Sequence, residues 1–157
     1  MKRQRTLLGV WAHPDDEAYL SATATLGERG TSEPNAWPPH RLAALRRREL
    51  ASSLAALDVH ESHLLGYEDG DCERHDGTDA IAGLIMDIEP DLIVTFGPDG
   101  LTGHADHRAV GRWTTDAWAS TQHAADLWYA TLTADFHERW GGLNDQIGLW
   151  MDHADPP

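Results

Sequence analysis

The feature that most restricts the fold is the run Arg5–Trp11, "RTLLGVW", where apolar residues follow one another instead of alternating with polar ones. A strand with one wet face alternates. A near-continuous apolar strand suits burial on both faces, as in parallel sheets. "DLIVTFGPDG" from Asp91 repeats the pattern, a buried strand running into a turn. Helical periods separate such runs. "RLAALRRRELASSLAAL" (Arg41–Leu57) carries leucines at 42, 45, 50, 54 and 57, and "DAIAGLIMDIEP" (Asp79–Pro90) reads as a helix stopped by its proline. "HADHRAVGRWTTDAWAST" predicts another helix, "HLL" and "DLWYATL" predict strands, and "GERGTSEPNAWPPH" is a loop by its Gly and Pro content. The stretch from Asp15 to Leu26 is expected to be helical, with Asp15 and Asp16 in the first turn, where the helix dipole favours negative charge. Strands alternating with helices predict an α/β fold with a mainly parallel sheet.

A length of 157 residues suits one domain over 1–157. The net charge of −14 rests on 26 acids against eleven arginines and one lysine, Lys2. No basic stripe exists to neutralise phosphates, so nucleic acid and anionic membranes are not expected partners. No apolar run reaches the length of a membrane span, and the N-terminus turns acidic before a secretory segment forms. A soluble, cytoplasmic protein is the expectation, with assembly into a homo-oligomer left open. The single cysteine, Cys72, has no partner for an internal disulfide.

Chemistry collects beyond the carboxyl ends of strands in such sheets. Two clusters fall there: His13-Pro14-Asp15-Asp16-Glu17 after the first strand, and Gly103-His104-Ala105-Asp106-His107 after the strand ending at Phe96. If the two strands are neighbours, the clusters face each other. A catalytic zinc site needs about three His or carboxylate ligands and an open position. His13 and Asp16 can converge where the chain bends at Pro14, and His107 can reach the same ion. Asp15, beside a ligand without being one, is the candidate general base for water. His104 can serve the developing oxyanion or the leaving group, with Asp106 orienting its ring. Imidazole and carboxylate donors also accept iron or another first-row ion.

These residues resemble the PIG-L / LmbE-like zinc-dependent N-deacetylases. The resemblance rests on "AHPDDE", "TLGERG", Arg46 with Glu49, "LGYEDG" (Leu65–Gly70) and "TFGPDGLTGHADHRAV" (Thr95–Val110). It implies a Rossmann-like three-layer fold and removal of an acetyl group from an N-acetylglucosamine-type conjugate, a small-molecule amino-sugar substrate. It also implies zinc on His13, Asp16 and His107, with Asp15 as base and His104 as acid or electrostatic partner supported by Asp106. Arg46 matches an arginine used on sugar hydroxyls, and Asp69 an acid of the loop flanking the sugar.

Three departures stand out. Ala105 replaces a proline usual in the family's segment, and Thr102 stands where some sugar deacetylases place a mobile tyrosine. "TATLGERG" follows Glu17 far too closely for a parallel crossover, which takes roughly a dozen residues or more. A crossover helix and the second strand are therefore expected to be missing near residues 18–24. Either the chain lacks them or residues have been lost from this sequence; the second is the expectation, because the helix presenting Asp16 would otherwise lose its packing. The chain also stops before the family's usual C-terminal helical part. Two other functions stay open: amide cleavage of a thiol-sugar conjugate, and a metal-binding remnant without catalysis. A phosphoesterase is a weaker rival, because little Lys or Arg lies near the clusters.

Overall fold

The computed structural model describes residues 5–16, 21–59, 61–122 and 124–147. Five strands, β1 (Leu7–Trp11), β2 (Ser21–Thr23), β3 (Ser62–Leu64), β4 (Leu92–Phe96) and β5 (Asp126–Ala130), form one sheet in the order β3-β2-β1-β4-β5. Every pairing is parallel. The apolar run at β1 is buried on both faces, with Leu8, Val10 and Trp11 in the core, as its lack of alternation predicts.

The strand order reverses between β1 and β4, where Leu7, Leu8 and Gly9 pair with Leu92, Ile93 and Val94. The chain winds outward to β2 and β3 in one direction and to β5 in the other. This switch point opens a crevice at the carboxyl ends of the two central strands. Both chemical clusters leave the sheet there.

Helices α1 (Pro39–Ala56), α2 (Thr78–Ile88) and α4 (Ala105–Thr121) match the periodic segments to within a few residues, and the short turn α3 (Gly100–Gly103) leads into α4. α4 lies against β1 and β4, and α2 packs on α4. Ile81, Ile85, Val110 and Trp113 fill the interior between them. Gly111 lets α4 approach the sheet: a Cβ there would stand 2.6 Å from the Phe96 carbonyl oxygen. That approach sets the height of His107, one turn earlier on α4.

Two expectations are corrected. The segment after Asp15 is not helical where it is described. Pro14 and Asp15 make a turn in which the Asp15 and Asp16 N–H groups both return to the His13 carbonyl, and Ser21–Thr23 is strand β2. Pairing with β1 outweighs local propensity here, because Ala24 and Thr25 also donate to Trp11 and Ala12 and extend the contact. The second strand, expected to be missing, is therefore present. Only residues 12–20 join β1 to β2, of which 17–20 lie outside the described residues, and no helix is described between the strands. Helix α5 (Ala134–Ile147) was not anticipated.

Candidate metal centre

The turn at Pro14 and the N-terminus of α4 bring His13, Asp16 and His107 together across the switch point. His13 Nδ1 lies 3.2 Å from His107 Nε2, and the Asp16 carboxylate lies 3.5 Å from the first and 3.4 Å from the second. Ligand atoms about 2.0–2.1 Å from a tetrahedral zinc stand about 3.3–3.4 Å from one another. The triangle of donors has that size.

The outward nitrogens explain why the inward ones face one another. His13 Nε2 sits 3.1 Å from Asp69 Oδ1 and 3.2 Å from Asp106 Oδ2. Carboxylates only accept, so this nitrogen carries a proton. His107 Nδ1 donates to the Gly100 carbonyl at 2.9 Å, with the Thr102 hydroxyl 3.2 Å away. In the neutral rings, both remaining lone pairs then point at the Asp16 carboxylate. Asp16 Oδ2 accepts the His13 backbone N–H at 3.0 Å, but no donor stands between the two imidazole lone pairs and the carboxylate, an arrangement that suits a cation.

Without an ion, a proton fills that need. Burial opposes charging His13, but hydrogen bonds to Asp106, Asp16 and Asp69 outweigh it and push the ring up to about 11. His107 moves down, mainly by burial, against the attraction of Asp16 and with the His13 charge adding to the fall. Burial disfavours the Asp69 and Asp106 carboxylates too, yet bonds from His13 and backbone N–H groups hold both below the usual carboxylate range.

The supporting contacts are dense. Asp106, fully buried, accepts from the Gly70 N–H at 2.7 Å and the Cys72 N–H at 3.1 Å. Asp69 accepts from Arg29 N–H at 2.7 Å, and its own N–H donates to Glu28. The Phe96 ring lies flat on His107, centroids 4.1 Å apart and planes 4° apart. Gly100, at φ +73°, supplies the carbonyl that fixes His107.

Beside the triad lies a cleft of about 270 Å³, lined among others by His13, Asp15, Arg29, Arg46, Asp69 and His104. Asp15 is exposed on its rim, 3.4 Å from Arg46. His104 caps α4 by accepting the Asp106 N–H on Nδ1, so its neutral ring carries the proton on Nε2. Every site residue expected from the sequence thus falls at one place. Two have partners that differ from expectation. The Asp106 carboxylate holds His13, while His104 meets Asp106 through the Asp106 backbone N–H on its Nδ1. Asp69 is buried against His13 as well as lining the cleft. The bracing by Gly100, Thr102, Phe96, Arg29 and Glu28 went unseen in the sequence; the glycines of "TLGERG" and "PDGLTG" were its one signal.

Fold and site together define an α/β protein with a candidate metal site of His and Asp side chains at its switch point. The chain belongs to the PIG-L family (GlcNAc-PI de-N-acetylase), whose profile matches residues 20–118. That match covers Arg46, Asp69 and the His104–His107 cluster but begins after His13–Glu17. A probable N-acetyl-alpha-D-glucosaminyl L-malate deacetylase 2 of Bacillus anthracis is 30% identical over 162 residues, covering 88% of this chain and 70% of the relative. A 1D-myo-inositol 2-acetamido-2-deoxy-alpha-D-glucopyranoside deacetylase of Mycolicibacterium gilvum is 30% identical over 189 residues, covering 92% and 66%. Both alignments are longer than this chain, so the relatives carry residues that it lacks. The solved N,N'-diacetylchitobiose deacetylase of Pyrococcus horikoshii shares the fold, with a TM-score of 0.68 at 18% identity over 95% of this chain and 82% of that one.

Proposed function

We propose that the chain hydrolyses the N-acetyl group of an N-acetylglucosamine-type conjugate. The observation that carries this reading is the His13, Asp16 and His107 donor triangle opening beside a cleft that also holds Asp15 and His104. The two deacetylase relatives both act, by their names, on N-acetylated glucosamine linked to a second polar group. A divalent ion on the triangle would polarise the amide carbonyl and ease deprotonation of the attacking water. Two imidazole nitrogens and one carboxylate suit zinc, and iron would accept the same donors.

The chain's own residues divide the remaining work. Asp15, exposed and with Arg46 as its one side-chain donor among the described residues, takes the proton of the attacking water. His104 keeps its Nε2 proton and donates it as a hydrogen bond to the developing oxyanion, while Asp15 passes the proton taken from water to the departing nitrogen. Asp106 and Asp69 hold His13 in the tautomer that presents Nδ1. Arg46 and Arg29, lining the cleft, orient sugar hydroxyls. Purified protein loaded with zinc should release acetate from N-acetylglucosaminyl conjugates, and Asp15→Asn should lose that release while retaining the ion. Undiminished release in Asp15→Asn would overturn the assignment of the base.

A further inference from the structure

A second cleft, about 410 Å³, opens on the other side of the Asp15–Asp16 turn from the sugar-sized one. Among the described residues, its walls are Trp11, Val94, Phe96, Leu101 and Ala130, with Asp15 and Asp16 at its polar border. Asp15 lines both clefts. An amide at the metal centre has two halves leaving in opposite directions. The cleft with Arg29 and Arg46 suits the hydroxylated half, which leaves the apolar cleft for the acyl half.

Two unusual features border this cleft. Among the described residues, the Trp11 indole N–H, in a residue 4% exposed, has no acceptor. A buried donor without an acceptor is uncommon. Leu101 has φ 62° and ψ −55°, a region that a branched side chain rarely occupies, in the turn whose carbonyl fixes His107. Strain at Leu101 thus adjoins both the ion-facing ring and the apolar wall.

We propose that the apolar cleft receives the acyl group of the substrate and selects N-acyl amino sugars with acyl groups longer than acetyl. The inference rests on the hydrolase reading above and extends its substrate class. In the reaction, the oxygen of water bonds to the acyl carbon and the C–N bond breaks. The nitrogen gains a proton, and a fatty carboxylate and a free amino sugar leave. Each methylene that enters the cleft should raise kcat/KM about threefold to fourfold until it is full.

The test uses zinc-loaded protein and glucosamines carrying acetyl, butanoyl, hexanoyl or octanoyl groups. Rising kcat/KM with chain length, flattened in Ala130→Leu and in Val94→Phe, supports the inference. A preference for acetyl that neither variant changes overturns it. Binding of octanoate, followed through the Trp11 indole N–H resonance, is a readout independent of turnover. Octanoate that shifts the resonance in the wild type but not in Ala130→Leu supports the cleft assignment even if no amide is hydrolysed, a result that would overturn the hydrolase reading alone. Octanoate that leaves the resonance unmoved overturns the inference even if acetate is released.

Discussion

His13 Nδ1 and His107 Nε2 face each other at 3.2 Å while the opposite nitrogen of each ring is held by acceptors from three separate segments. The two rings come from the ends of β1 and the start of α4. Their juxtaposition is a direct result of β1 and β4 being neighbours at the switch point.

Removing a donor should therefore remove the ion. Asp16→Asn and His107→Ala are expected to bind substoichiometric zinc after dialysis and to lose activity together with it. Metal analysis of the purified variants checks this, and a full complement of zinc in either would contradict the triangle.

Asp106 should matter for stability as well as for the ion. Asp106→Ala leaves the buried Cys72 N–H without an acceptor, a cost of about 1–3 kcal/mol, and frees the His13 ring. Zinc affinity should fall about 10–100-fold. Competition with a chromophoric chelator measures the affinity, and thermal unfolding of the metal-free variant measures the stability. Unchanged affinity with lowered stability would leave Asp106 a purely structural residue.

The metal-free chain should have a distinctive pH profile. His13 is raised from 6.5 to about 11, so it binds its proton more tightly folded than unfolded. Its stabilisation is complete below 6.5 and is lost as pH rises toward about 11. Asp69 and Asp106 are lowered from 3.8, so their contribution is present above that value and lost as pH falls through the depressed ones. Metal-free protein should thus lose stability from roughly pH 6.5 upward, whereas zinc-loaded protein should not, because the ion replaces the proton on Nδ1. Thermal unfolding with and without zinc across this range checks the difference. Calorimetry in two buffers of unlike ionisation enthalpy should show a proton released when zinc binds at neutral pH.

Much of this was legible in the sequence because it depends on local chemistry. The unbroken apolar character of β1 and β4 announced a parallel sheet, and each strand ended in a cluster whose residue types are those of a metal site. The role of Asp106 was harder to read. Its neighbour in sequence is His104, but the start of α4 turns its carboxylate toward His13 and the Gly70–Cys72 backbone, a contact set by packing across the crevice. β2 was hidden for a different reason. Three residues, Ser21–Thr23, carry no period of their own, and their strand character comes from pairing with β1 and β3 on either side. With β2 in place, the metal-binding remnant reading loses the missing strand that was its support. α5 was passed over although Phe136, Trp140, Leu143 and Ile147 recur at helical spacing, because its apolar face is exposed and predicts no core.

One ion held by His13, Asp16 and His107 is what the site is built to bind. Crystals grown with zinc and measured at the zinc absorption edge test it most directly. One anomalous peak per chain is predicted, about 2.0–2.2 Å from His13 Nδ1, His107 Nε2 and an Asp16 carboxylate oxygen. A peak held instead by Asp69 and Asp106, or no peak at the triangle, would contradict the account.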